Sequence, residues 1–400
     1  MKKDHHLATR VVHAGRVQPR PDFSPTVPPV YLTTTFAYER YEQMDDIFFH
    51  KREGYVYGRY GTPTHHALED AVAELEGADA AFSVASGMAA VHLALLAAGA
   101  AQNGPVLMAQ DVYGASLALA EQVLAPLGVP VHTVDATDPA QVARALEQIR
   151  PAVLFFEVIT NPLTKVVDAP RLIELAHEVG TRVVVDNTFT TPLLFRPFEH
   201  GADIVIHSAT KYLAGHGDTL AGLVLTREAL AARMDMLLKQ TGANLGPVEA
   251  WLTYRGLKTL ALRFPRQCEN AMRIAQFLAQ HPRVERVYYP GLPDSPYHGL
   301  ADRLFGGEHY GAIVAFDIKD GNKEQVFRFL ESLELCLPVT TLGDIYTTVL
   351  YPARSSHHYL SEEERAAMGI GPGLVRLSAG IEDAEDLIAD LDQALERSAR

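Results

Sequence analysis

The chain has 400 residues, 48% of them hydrophobic, which is enough for one large domain and a smaller one with substantial cores. A formal net charge of -14 works against a phosphate-backbone partner, which needs a concentrated basic surface, so neither nucleic acid nor an anionic membrane is expected as a partner. Only Cys268 and Cys336 are present and they form no CxxC pair; no disulfide framework or cysteine metal site is expected, and a reducing cytoplasmic location fits.

The N-terminal MKKDHHLATR lacks the apolar run of a signal peptide, and the most apolar segment, AAVHLALLAAGAA, is too short to span a bilayer and contains His92. The Pro-rich tract VQPRPDFSPTVPP is expected to be extended, and residues 1–60 are read as an arm. A helix is expected next, with Thr62 as N-cap, Pro63 in its first position, Gly77 at its end, and Leu68, Val72 and Leu75 on its buried stripe. From there PVLMAQ, AVLFFEV, TRVVVDN and ADIVIHS read as strands separated by amphipathic segments. This alternation predicts an α/β architecture with a mostly parallel sheet flanked by helices in a large domain, residues 61–255. Residues 256–400 read as a smaller C-terminal α+β domain: a helix over RQCENAMRIAQFLAQH, strands in GAIVAFDI and GLVRLSAGI, and a final helix AEDLIADLDQAL.

Ligands of open parallel sheets bind beyond the carboxyl ends of the strands, so the polar residues that close the apolar runs are the ones to inspect. They are Tyr113, Asn161, Asp186, and Ser208, Thr210 and Lys211 in HSATK. Separately, Ser86, Gly87 and Met88 stand where a helix should begin, and its free amides make an anion seat. A phosphate seat, a carboxylate, an aromatic and a lysine together match the needs of pyridoxal 5'-phosphate (PLP). Lys211 would form the Schiff base, Ser208 and Thr210 would reach the phosphate, and Asp186 would keep the ring nitrogen protonated.

The set PPVYLTTTF, YGRYGTPT, SGMAA, DVYG, TNPLTKVVD, VVVDNTF, HSATKYLAGHGD, YPARSSH and LVRLSAGIED, spread over nearly the whole chain, resembles the Cys/Met-metabolism family of fold-type I PLP-dependent enzymes. That resemblance implies a fold-type I transferase fold, with Tyr113 stacked on the ring and Arg376 holding the substrate α-carboxylate. It further implies that Asn161 sits near the cofactor's ring oxygen and the substrate carboxylate, and that Tyr57 and Arg59 reach the phosphate from a neighbouring subunit. The expected assembly is therefore a homodimer or homotetramer with shared active sites.

The same resemblance implies a small amino-acid substrate, with Lys211 as general base and Tyr113 as the acid for the leaving group. Elimination at Cγ of a sulfur-containing amino acid is the leading expectation; γ-replacement on an activated homoserine ester shares its early steps. A non-catalytic homologue is disfavoured by retention of Lys211, Asp186, Tyr113 and Arg376; a cofactor-free α/β enzyme using Lys211 as a plain base is the further alternative, which visible absorbance lost on borohydride reduction would exclude. Thr340-Thr341 stand where many cystathionine enzymes carry Glu-Ser, which argues against a strict cystathionine enzyme and places Thr341 at the substrate. Gly217 stands where Ser is frequent, Ala115 where methionine γ-lyases often have Cys, and Tyr346 is expected to alter the pocket wall. The histidine pairs His5-His6, His65-His66 and His357-His358 point apart on any regular element, so no metal site is expected.

Overall fold

The computed structural model describes residues 5–15, 25–49, 51–358 and 360–398. Residues 17–24 of the Pro-rich tract therefore lie outside the described residues. Residues 25–40 carry no regular element apart from a bridge between Thr35 and Tyr57, while short helices occupy Leu7–His13 and Tyr41–Phe48 of the expected arm.

Seven strands form the first sheet: β1 (Ala80–Val84), β2 (Val106–Ala109), β3 (Val131–Val134), β4 (Val153–Glu157), β5 (Arg182–Asp186), β6 (Ile204–His207) and β7 (Gly222–Thr226). Their order is β1-β7-β6-β5-β4-β2-β3, and only β7 runs antiparallel to its neighbours. The four expected strands are all present at its centre. Their unbroken Val, Ile, Leu and Phe runs are what a strand covered on both faces requires, and β2, β4 and β6 are buried throughout. The expected reading missed β1, β3 and β7 because β1 and β3 are edge or part-exposed strands with polar interruptions, and β7 begins on a glycine. The helix Gly87–Ala98 is apolar on nearly every side and buries most of its residues, from Ala90 onward, which its composition requires.

Leu68, Val72 and Leu75 are fully buried on the helix Pro63–Glu76, which ends in left-handed Gly77 as expected. Thr62 occupies the N-cap position but does not cap with its side chain; its hydroxyl pairs with His65 Nδ1 at 2.8 Å instead. At the other end of this helix Glu76 is fully buried and accepts from His207 at 2.6 Å and from Asn187 at 2.8 Å, tying the helix to the ends of β5 and β6.

The second sheet has the order β10-β11-β12-β9-β8, from β8 (Val284–Tyr288), β9 (Ile313–Ile318), β10 (Leu337–Pro338), β11 (Thr348–Leu350) and β12 (Leu374–Ser378). Register places Arg376 of β12 between Ala315 and Leu350. The helix expected from residue 266 begins earlier, at Leu260. Pro265 lies near its start, where the missing amide costs one hydrogen bond. The final helix runs Ala384–Ser398.

Between the two sheets, the helix Pro247–Leu257 backs onto the turn that follows Lys211. A Cβ added at Gly256 would lie 2.0 Å from the Ala214 carbonyl oxygen, a backbone atom that cannot rotate away. Gly256→Ala is therefore expected to lower stability by about 1–3 kcal/mol, read as an earlier urea midpoint at unchanged slope. An unshifted midpoint would show that the turn yields without cost.

Candidate active site

Because β2, β4, β5 and β6 run parallel, their carboxyl ends open together on one cavity of about 650 Å³. Tyr113, Asn161, Asp186, Ser208, Thr210 and Lys211 line it from the strand ends; Ser86, Gly87 and Met88 line it from a helix start, and Arg376 from β12. Ten of the residues singled out in the sequence thus meet in one wall. Thr341 stands behind it: its hydroxyl accepts from Lys211 Nζ at 3.4 Å and its carbonyl accepts from Arg376 at 3.0 Å, while Thr340 lines the cavity. Tyr57 and Arg59 do not reach the cavity of their own chain. The Arg59 guanidinium bonds the Lys239 carbonyl and lies 4.9 Å from the Tyr60 ring. Tyr346 is 52% exposed and lies outside the wall, contrary to expectation. The Ile345 amide donates to Gly215 O at 3.0 Å, and the residue after it faces away.

The anion seat is built by close approach. Ser86 accepts the Ala89 amide at 3.1 Å, which leaves the Gly87 and Met88 amides without a helical acceptor. A Cβ on Gly87 would fall 2.8 Å from Ser208 Cβ and Oγ, so only glycine leaves this concavity open. Among the described residues Ser208 Oγ has no hydrogen-bond partner, whereas Thr210 Oγ1 is already engaged by the Ala221 carbonyl and amide at 3.1 and 3.0 Å.

Asp186 ends β5. Its Oδ1 accepts from Thr188 N at 3.0 Å and from Thr188 Oγ1 at 2.5 Å, leaving Oδ2 for a ligand. Burial pushes this carboxyl above the usual carboxylate range, with the two Thr188 bonds opposing. Beside it in the register stands Glu157, which closes β4, lines the cavity and accepts the Tyr113 amide at 2.5 Å. Burial, and next the Asp186 charge, drive Glu157 well above its ordinary range. Sequence reasoning passed over Glu157, yet the rule that singled out Asp186, an acid closing an apolar run, applies to AVLFFE equally.

The cations sit opposite. Arg376 is 4% exposed and donates from Nη1 to Asn161 Oδ1 and from Nη2 to Thr341 O, both at 3.0 Å; its Nε is buried with no partner. Burial lowers it to about 10. For Lys211, burial first and the Arg376 charge second bring the ammonium down to about 8, with Asp344 opposing. His357, from the YPARSSH segment, is fully buried and is lowered to about 4 by burial and then by Arg376 and Arg365. The Asn161-Pro162 peptide is cis. The lysine turn is latched to the 340s loop, since Gly217, at φ +67, would bring a Cβ within 2.3 Å of Asp344 Oδ2.

Bare amides and a free hydroxyl around a glycine-made concavity fit a phosphate ester. A buried acid with one open oxygen fits a protonated ring nitrogen, and a lysine poised near neutrality fits an aldehyde. The residues present therefore suit pyridoxal phosphate. Among the described residues no group of three or more His, Cys, Asp or Glu side chains could hold a metal ion, and no helix is long and apolar enough to cross a membrane.

Comparison with known proteins agrees. Residues 8–396 match the family model described as Cys/Met metabolism PLP-dependent enzyme. The chain is 41% identical over 400 residues to the L-methionine gamma-lyase of Fusobacterium nucleatum subsp. nucleatum, covering 99% of each protein. It is 38% identical over 389 residues to the cystathionine gamma-lyase of Bacillus subtilis, covering 97% of this chain and 98% of that protein. The crystal structure of cystathionine gamma synthase from Xanthomonas oryzae pv. oryzae in complex with cystathionine superposes with a TM-score of 0.91 at 37% identity, covering 99% of each chain.

Gly87→Ala is expected to weaken pyridoxal phosphate uptake by about 5- to 150-fold, the effect of an overpacked methyl, with an unchanged circular dichroism spectrum. Equal affinity in equilibrium dialysis would remove the seat. In the cofactor-free protein the neutral Lys211 amine accumulates as pH rises through about 8. Its reductive methylation rate should climb across that pH and then level off, while an exposed lysine continues to gain toward about pH 10.4.

Proposed function

The chain belongs to the Cys/Met-metabolism family of PLP-dependent enzymes, and from that membership we propose that it is a γ-lyase of a sulfur-containing amino acid, releasing a thiol, a 2-oxo acid and ammonia with consumption of one water. The observation that carries the reading is the pairing, in one cavity, of a lysine lowered to about 8 with a buried, doubly hydrogen-bonded arginine. The chemistry of bound pyridoxal phosphate is electron withdrawal, which takes up the charge left on substrate carbon when a proton is removed.

Each side chain then has a distinct task. The Gly87 and Met88 amides, with the Ser86 and Ser208 hydroxyls, would hold the phosphate, and Thr210 would join them only by giving up its bond to the Ala221 carbonyl. Asp186 would keep the ring nitrogen of the cofactor protonated through the oxygen that Thr188 leaves open. Tyr113, in the cavity wall, would cover the cofactor ring, and its hydroxyl would give a proton to the departing sulfur. The Lys211 amine, partly neutral near pH 8, would take the proton from Cα, and only after giving that proton up would the regenerated amine take the next one from Cβ. The Arg376 fork binds the α-carboxylate, held in aim by Asn161 Oδ1 and the Thr341 carbonyl, and the Thr341 hydroxyl holds the Lys211 amine in reach. Tyr57 and Arg59 serve the phosphate of a neighbouring copy. The arm that bears them exposes Leu32 at 74% and Tyr41 at 77%, apolar surface that favours self-association into a dimer or tetramer. γ-Replacement on an activated homoserine ester is the second reading, favoured by the close match to the Xanthomonas oryzae synthase.

Incubation with methionine alone is expected to release 2-oxobutanoate and methanethiol; product that forms only when a thiol and an O-acylhomoserine are both supplied would replace the lyase by the transferase. Lys211→Ala should lower turnover by at least about 10²–10⁴-fold, the contribution of a positioned base, with the fold intact. Arg376→Ala should raise KM by about 10- to 150-fold, the loss of charge-assisted bonds, and equal weakening of cofactor binding would refute its assignment. Activity regained on mixing Lys211→Ala with Arg59→Ala chains would establish sharing between subunits, and none after verified exchange would refute it.

A further inference from the structure

We propose that a second cavity, on the edge strand β8 of the second sheet, is a binding site for a small aromatic carboxylate. It encloses about 510 Å³, within the range of ligand sites, and shares no lining residue with the cavity of Lys211. The proposal goes beyond the γ-lyase reading and does not depend on it. Three segments form the walls: the turn after β4 at residues 163–165, the end of β8 with the loop that follows it to Tyr297, and the end of the helix Glu362–Ala367. Hydrogen bonds hold two of these walls in place. Thr164 donates its hydroxyl to the Tyr288 carbonyl at 3.1 Å, joining turn to strand. Tyr288 donates its own hydroxyl to Asp317 at 2.8 Å, and Tyr289 donates to the Gly311 carbonyl at 2.9 Å. The Lys165 amide donates to Thr160 Oγ1 at 3.2 Å, which closes the turn.

The chemistry of the wall selects the ligand. At the helix end, the amides of Met368, Gly369 and Ile370 take up the carbonyls of Glu364, Arg365 and Ala366, so this end offers the cavity alanine and methionine instead of bare oxygens. Tyr288 and Tyr297 add aromatic rings, and Leu163 and Leu292 add aliphatic surface. Against this apolar lining stand two cations, Lys165 and Arg286, and a single acid, the exposed Asp294. Arg286 and Tyr288 lie two apart on β8 and share its face, with the guanidinium carbon 5.2 Å from the ring centroid. Lys165 is the more telling of the two. Its side chain is only 20% exposed, and one of its three ammonium hydrogens goes to Asp111 at 2.7 Å, a residue outside this wall. The other two have no acceptor among the described residues, and a mostly buried ammonium calls for one. A net positive chamber lined with rings and aliphatic groups therefore fits a flat apolar body bearing one carboxylate, which the Arg286 fork and the spare Lys165 hydrogens would receive.

The probe is 2-naphthoate, measured against the holoenzyme by equilibrium dialysis. One equivalent per chain is expected to bind with a dissociation constant on the order of 0.1–1 mM, the affinity open to a ligand of that size. 2-Naphthamide, the same body without the charge, should bind about 5- to 10-fold more weakly. Arg286→Gln should weaken 2-naphthoate by about 5- to 10-fold, and Lys165→Gln, which can still donate to Asp111, by a similar factor, both with an unchanged circular dichroism spectrum. Arg376→Ala, which takes the carboxylate partner out of the first cavity, should leave the 2-naphthoate affinity unaltered. Absence of binding, equal affinity for the amide, or full affinity in the folded Arg286→Gln or Lys165→Gln protein would each overturn the site. A loss in Arg376→Ala would do so too, by placing the probe in the cavity of Lys211. Should Lys165→Gln fail to fold, Arg286→Gln, altered at an exposed position, decides alone.

Discussion

Two cations buried in one cavity set the terms for the rest of the molecule. Water would stabilise both Lys211 and Arg376, and the fold removes most of it. Arginine keeps its charge, so the protein surrounds it with oxygen: Asn161 Oδ1 from the loop after β4 and the Thr341 carbonyl from the 340s loop. Lysine can yield its proton. A drop from 10.5 to about 8 corresponds to a preference for the neutral amine on the order of 3 kcal/mol, which converts an ordinary surface cation into a base. The same desolvation thus keeps one group charged for binding and lets the other lose charge for chemistry.

On the opposite wall the signs are reversed. Glu157 and Asp186 end adjacent parallel strands in register, so the sheet forces two carboxyls side by side beneath the cavity floor. Burial raises both carboxyls and the Asp186 charge raises Glu157 further, while hydrogen bonding separates the two. Asp186, with two donors on one oxygen, is the better anion; Glu157, with a single amide, is the better acid. Through that amide Glu157 also fixes the start of the helix that follows Tyr113, linking the charge state of the floor to the placement of the aromatic.

How far the sequence carries this picture depends on the range of the signal. Fully apolar strand runs are local, and β2, β4, β5 and β6 were legible with the acids and hydroxyls that close them. The edge strands β1 and β3 and the antiparallel β7 are short, part-polar or glycine-led, and only pairing with a neighbour makes them strands. Lys211 and Asp186 were recoverable as chemistry because a parallel sheet collects its strand ends. Arg376 could be named but not placed, since its neighbours Asn161 and Thr341 lie 215 and 35 residues away. Glu157 was readable by the same rule and overlooked in favour of Asn161. Tyr346 shows the converse: a substitution conspicuous in the sequence proves to face solvent, because a backbone bond from Ile345 to Gly215 turns the loop.

That bond and the contact beneath it have a further bearing. With no side chain at position 217, the carboxylate of Asp344 rests against the glycine-rich turn, so the segment bearing the reactive amine and the segment flanking the substrate meet atom to atom. Drift in specificity is accordingly channelled. An exposed wall position such as 340 is at liberty to vary while the proton chemistry persists, whereas an exchange at 217 or 344 moves the amine along with the pocket and has to be answered by its counterpart across the seam.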